Sequence, residues 1–111
     1  MVHHKKEKWE TALDELVEGV RKIYDGRFQA MILYGSRARG TAEEDSDVDV
    51  LVVLNPLEDF WAELSRLQSL VAPISLKHDV VLSAIPVSAD EFEEPKTALL
   101  VSAKREGICV V

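Results

Sequence analysis

The 111 residues carry a formal charge of −7, with 47% apolar and 30% charged residues. That length can bury a core without disulfide or metal staples, and the composition excludes a disordered chain. The acidic balance speaks against a broad basic surface for direct nucleic-acid binding, and no apolar run approaches the roughly 20 residues that span a bilayer.

The first residues, Met1 to Lys6, have no apolar segment followed by a small-residue cleavage site, so no secretory signal is expected. His3 and His4 sit in an end expected to fray, where a metal role is not expected. A lone cysteine, Cys109, cannot pair within the chain, which fits a reducing, cytoplasmic setting. Cys109 itself reads as a packing residue.

Trp9, Leu13, Leu16, Val17, Val20, Ile23 and Tyr24 recur at helical spacing and predict an amphipathic helix over 6–24. Asp25-Gly26 ends it, with Gly26 as cap or turn. Phe28 to Tyr34 reads as a strand. In Gly35-Ser36-Arg37-Ala38-Arg39-Gly40, Ser36 suits the cap of a short helical turn that Gly40 closes. Thr41 to Ser46 is a polar, acidic loop. Asp47 to Leu54 is apolar on both faces beyond its first residues, the pattern of a central strand, and Asn55-Pro56 breaks it.

Leu57, Phe60, Trp61, Leu64, Leu67, Leu70 and Val71 mark a second helix, expected to end before Pro73. Residues 76 to 85 read as a third strand ended by Pro86. Ser88 opens an acidic turn. Pro95 fits the first turn of a last helix over roughly residues 95–105, with Lys104 and Arg105 near its end and Gly107 stopping it. Ile108 to Val111 can add a short edge strand. The four aromatic residues Trp9, Phe28, Phe60 and Trp61 are expected in the core. The expected architecture is one α/β (α+β) domain over residues 1–111, a small mixed sheet covered by helices.

Asp47 and Asp49 are two apart on a strand, so their side chains share a face. Two such carboxylates repel, and a divalent cation with oxygen ligands, such as magnesium, relieves the repulsion. Taken alone, the pair also suits a solvated loop end beside Glu43, Glu44 and Asp45. Gly35 after a strand lets a phosphate approach the backbone, and Ser36 offers a hydroxyl and exposed N–H groups. Arg37 and Arg39 point different ways on a helical turn, so at most one is expected to face phosphate. The Walker spacing is missing. Ser36 has no nucleophile elbow and no convincing histidine partner.

The stretch from Gly35-Ser36-Arg37-Ala38-Arg39-Gly40 to Ser46-Asp47-Val48-Asp49-Val50-Leu51-Val52 resembles the signature of the DNA polymerase β-like nucleotidyltransferases. The wording and length look most like their minimal members, many of which are antitoxins. The resemblance implies the polymerase β-like fold and nucleotidyl transfer from a nucleoside triphosphate, with ATP the expected donor. Two Mg²⁺ ions would be held by Asp47 and Asp49. A third carboxylate is expected at Asp79, opening the third strand, with Glu91 or Glu93 next in line. His78 is expected to face away from Asp79. Gly35 and Ser36, with Arg37 or Arg39, would hold the phosphates.

For the acceptor, the resemblance implies a tyrosine on a HEPN-type ribonuclease toxin that receives AMP. Transfer to a small hydroxyl compound such as an antibiotic, and a non-catalytic antitoxin that acts by occlusion, are the alternatives. A chain this short has little room for its own acceptor domain, so a partner protein or a homo-oligomer interface is expected to present the acceptor.

Overall fold

The structure is a computed structural model that describes residues 6–111; His3 and His4 lie outside the described residues. The first helix, α1 (Lys8–Tyr24), buries Ala12, Leu13, Leu16, Val17, Val20 and Tyr24, the stripe that the spacing predicts. At its end the positive φ falls on Asp25 (48°), and Gly26 lies in the 3₁₀ turn that follows. Then come β1 (Phe28–Tyr34), a single turn of helix α2 (Ser36–Arg39) and β2 (Val48–Leu54). The second long helix, α3 (Phe60–His78), leads into β3 (Leu82–Ser88), and short helices α4 (Ala89–Glu93) and α5 (Ala98–Glu106) precede β4 (Ile108–Cys109).

The sheet order is β3-β2-β1-β4. β1 is antiparallel to β2 and to β4, whereas β2 and β3 are parallel. β2 is therefore central, as its apolar character on both faces requires. Val48, Val50, Val52 and Leu54 pack with Met31 and Leu33 under α1 and α3. Leu51 and Val53 pack on the other face with Ile32, Val87 and Ala103 under α4 and α5. The edge strand expected at the C-terminus forms on β1, and Met31 also exchanges backbone bonds with Val110 and Val111.

Several local expectations are corrected. Pro73 lies inside α3. An internal proline costs roughly 3 kcal/mol, but Leu67, Val71 and Ile74 continue one buried stripe across it, and that packing outweighs the loss. The third strand starts later than expected and includes Pro86, which pairs with Val52. A proline is tolerated there because β3 is an edge strand. Pro95 lies outside α5, whose cap is Thr97: its Oγ1 accepts from the Leu100 N–H at 3.2 Å. Trp61 is 74% exposed and meets Phe60, itself partly exposed, edge to face, so these two are not core residues. Cys109 is exposed as well, because the edge strand β4 is covered on neither side.

At the C-terminal end of β2 a buried carboxylate ties the helical layer together. Glu63 is 5% exposed and accepts from Arg27 Nη2 at 2.6 Å and from the Tyr24 hydroxyl at 3.5 Å. Burial, and then the Glu63 charge, pushes the Tyr24 phenol up to about 12. Glu63→Ala leaves Arg27 with the Pro56 carbonyl as its only hydrogen-bond acceptor among the described residues. We expect a loss of about 2 kcal/mol in urea unfolding, since a buried charge-assisted bond is removed. Activity per folded molecule should be unchanged, because the cluster lies at the far end of β2 from the site described next.

Candidate active site

Asp49 is the second residue of β2; Asp47, expected to open the strand, lies immediately before it. Asp49 is on the same face as Leu51 and Val53, but unlike them it is only half-buried, and Asp47 is exposed. Burial raises the Asp49 carboxyl above the usual carboxylate range, and the Asp47 charge raises it further. The two groups feel each other through space.

Tyr34 lies opposite Asp49 on β1 and Ser83 opposite it on β3. Burial and then Asp49 push the Tyr34 phenol up, so it stays protonated. Gly35 follows Tyr34 directly, with φ +78°. A Cβ at Gly35 would sit 3.0 Å from Asp49 Oδ2. The missing side chain leaves the space between the turn and the carboxylate, and the left-handed φ favours glycine there too.

Gly35 is also the cap residue of α2. Ala38 and Arg39 donate their N–H groups to its carbonyl, each at 3.1 Å. Ser36 is the first helical residue, one position later than the cap expected of it, and Gly40 closes the turn at φ +77°. In a first turn, the N–H groups of Ser36 and Arg37 have no intrahelical acceptor. Together with the Ser36 hydroxyl they make a donor set beside Asp49 that suits phosphate oxygens.

The two arginines differ. Arg37 Nη2 donates to the carbonyls of Glu44 and Ser46, both at 3.2 Å, and its guanidinium lies 5.0 Å from the Trp9 ring centre. Its Nε is buried with no hydrogen-bond partner among the described residues. Arg37 therefore clamps the acidic loop that delivers Asp47, with Trp9 of α1 as backing. Arg39 is exposed and makes no ion pair or side-chain hydrogen bond among the described residues. It is the arginine that remains available to a ligand.

Asp79 does not open a strand. It caps α3 in the left-handed conformation (φ 54°, ψ 49°), its side chain is 98% exposed, and it faces Lys8 Nζ at 3.4 Å. The β3 residue beside Asp49 is Ser83, and the Val81 carbonyl accepts from the Val48 N–H at 2.8 Å. Neither is a carboxylate. Glu91 and Glu93 belong to α4, beyond the C-terminal end of β3 and so at the wrong end of the parallel β2/β3 pair. Among the described residues no group of three acids or imidazoles could hold a metal ion. His78 turns to Glu15 (3.4 Å), which also accepts from Lys77 (2.8 Å), and these contacts join α1 to α3. Arg37's clamp and the Gly35–Asp49 approach are not readable from spacing, because both depend on which elements meet in space.

The model of the nucleotidyltransferase domain family matches residues 13–102. Two relatives from Methanocaldococcus jannaschii are each named as a candidate protein adenylyltransferase. One is 35% identical over 85 residues, covering 77% of this chain and 79% of the relative. The other is 32% identical over 73 residues, covering 66% and 73%. A nucleotidyltransferase-type structure from Sulfolobus solfataricus shares the fold with a TM-score of 0.61 at 17% identity, over 98% of this chain and 90% of that one. A toxin–antitoxin structure with AMP-PNP matches with a TM-score of 0.61 at 18% identity, over 86% of this chain and 70% of that one.

The raised Asp49 carboxyl fixes the sign of a stability effect. The folded state holds this proton more tightly than the unfolded chain, so stability falls as pH rises from the ordinary carboxylate value through the raised one. Asp49→Asn removes that penalty. In thermal melts without divalent cations, the variant should melt above wild type at neutral pH, and the gap should close in acid. A variant that melts below wild type at neutral pH would show that the ionised carboxylate is stabilising instead.

Proposed function

The chain belongs to the nucleotidyltransferase domain family, and from that premise we propose that it is an ATP-dependent protein adenylyltransferase, the antitoxin of a pair whose toxin is a HEPN-type ribonuclease. The observation that carries the transfer chemistry is the close approach of the Gly35 turn to Asp49, which sets a phosphate cradle against paired carboxylates. The names of the two relatives support a protein acceptor, and the toxin–antitoxin neighbour supports a toxin as partner.

Asp47 and Asp49 suit a divalent cation. Their mutual repulsion favours one, and hard cations such as Mg²⁺ commonly take one or two protein carboxylates and complete their shell with water and substrate phosphates. Bound there, Mg²⁺ would neutralise charge on the triphosphate and the leaving group. The Ser36 hydroxyl and the α2 N–H groups orient the β- and γ-phosphates, and Arg39 is within the same turn. The acceptor oxygen forms its bond to the α-phosphorus while the bond from that phosphorus to the bridging oxygen of the β-phosphate breaks. AMP is left on the acceptor and pyrophosphate departs; the hydroxyl proton passes to a carboxylate of the pair or to water. Asp79 stays outside this arrangement, exposed at the end of α3 and facing Lys8.

Incubation of the chain with its co-encoded ribonuclease, ATP and Mg²⁺ should add about 329 Da per AMP to the partner by mass spectrometry, the mass of an AMP group on a hydroxyl. Asp47→Asn should lower the rate at least about a hundredfold with the fold intact. Equal neutralisation of the toxin by wild type and by this variant, without mass gain, would make the chain a protein that inhibits by binding. The arginines should separate. Arg39→Ala should raise the KM for ATP without a change in melting temperature. Arg37→Ala should lower the melting temperature by loosening the loop, since it removes two hydrogen bonds of about 1 kcal/mol each.

A further inference from the structure

We propose that the carboxylate pair takes one divalent cation, not the two expected from the sequence, and that Ser83 is the residue that sets this number. The inference rests on the nucleotidyl-transfer part of the proposed function and adds how the site is charged. Its basis is the register of the sheet. Tyr34, Asp49 and Ser83 are direct neighbours on β1, β2 and β3, so they form one row across the sheet. They share the face on which Ile32, Leu51 and Ile85 form the row two residues further on, under α4 and α5.

Asp49 is the single acid of its row. Tyr34 offers a phenol on one side and Ser83 a hydroxyl on the other, and neither carries the negative charge that draws a hard cation. Ser83 is partly exposed, and its hydroxyl makes no hydrogen bond among the described residues, so no other part of the fold engages it. The row behind it is aliphatic. No other acid among the described residues stands in for the missing one. Asp79 ends α3, and α3 packs on the opposite face with Val48, Val50 and Val52. Glu43, Glu44 and Asp45 line cavities together with Lys8 of α1, and no group of three acids or imidazoles could hold an ion.

Two divalent cations held about 3.5–4 Å apart bring four positive charges together. The triphosphate, held at the glycine turn after β1, offsets the charge nearest to it. A second ion on the β3 side of Asp49 would share the Asp47 and Asp49 carboxylates and have none of its own. Neighbouring strands lie about 4.8 Å apart, so a carboxylate at position 83 would reach such an ion. A serine there is too short and uncharged to offset the repulsion between the two cations.

The test counts ions rather than turnover. The full chain is mixed with an equimolar ATP analogue whose α–β bridge is a methylene group, and Mn²⁺ is titrated in and followed by electron paramagnetic resonance. Wild type should take up one Mn²⁺ per chain, with a spectrum changed from that of the Mn²⁺–analogue complex alone. Ser83→Ala should also take up one, since the hydroxyl is not needed as a ligand. Ser83→Asp should take up two, and ions about 3.5–4 Å apart should show the broadened spectrum of a coupled pair. Two ions or a coupled-pair spectrum in wild type overturns the inference. So does a folded Ser83→Asp that still takes one, loss of the ion in Ser83→Ala, or a wild-type spectrum no different from that of the free complex. If Ser83→Asp does not fold, the wild-type and Ser83→Ala counts decide. The outcomes separate from those of the adenylyltransferase reading. One ion per chain with no AMP transfer to any protein sinks that reading and leaves the one-cation site. AMP transfer by a chain that holds two ions sinks the one-cation site alone.

Discussion

Two like charges at the start of a central strand are the constraint around which this small protein is arranged. β2 is apolar on both sides because helices cover both faces of the sheet, and a carboxylate within that sandwich would lose its water with nothing to replace it. Asp47 escapes by standing just before the strand, and Asp49 by standing at its second residue, on the face whose covering helices, α4 and α5, pack instead on Leu51 and Val53. Even so, the half-buried Asp49 is held against ionisation by burial and by Asp47. A site that resists its own charge in this way is prepared for a cation, and the backbone next to it is prepared for an anion.

That preparation draws on parts distant in sequence. Trp9 on α1 backs Arg37, and Arg37 fastens the carbonyls of Glu44 and Ser46. The loop so fastened is acidic, and without an attached cation Glu43, Glu44 and Asp45 would repel the carboxylates that follow. One arginine of the Gly-Ser-Arg-Ala-Arg-Gly stretch is thus spent on structure, which leaves the other for a ligand. The opposite end of β2 is treated differently. There the buried Glu63 carboxylate is met by the half-buried Arg27 and by Tyr24, so its charge is compensated by partners from within the fold.

What was legible in the sequence follows from this division. β2 could be read because valines on both faces have no use outside a covered sheet, and Asp49 could be placed because strand alternation is strict; Asp47 falls one residue outside the strand. The glycine turn was legible through Gly35 and Gly40, both of which take positive φ. The errors come where long-range packing decides. Pro73 looks like a helix end until the buried stripe Leu67–Val71–Ile74 is seen to run past it, and Pro86 looks like a strand end until β3 proves to be an edge. Asp79 looks like a strand residue because valines follow it, but α3 runs on through Pro73 to His78, six residues further than expected, and Asp79 becomes its left-handed cap. Trp61 looks like core because its spacing fits a helical stripe, although no element lies over it.

The register between β1 and β2 binds these features into one site. Tyr34 pairs with Asp49, so Gly35 arrives beside the carboxylate only in this alignment. A slip of one residue would turn Asp49 to the face packed under α1 and α3 and bring an aliphatic side chain to the turn. Two charged groups in that interior would cost far more than the slip could recover, so the apolar pattern of β2 enforces the register by excluding the alternative. The one irregularity in the pairing falls between Phe28 and Ala30, at the other end of the strands, where no functional side chain depends on it. The same valines that make the core therefore set the distance between glycine turn and carboxylate, and the geometry of the site is a consequence of packing rather than an addition to it.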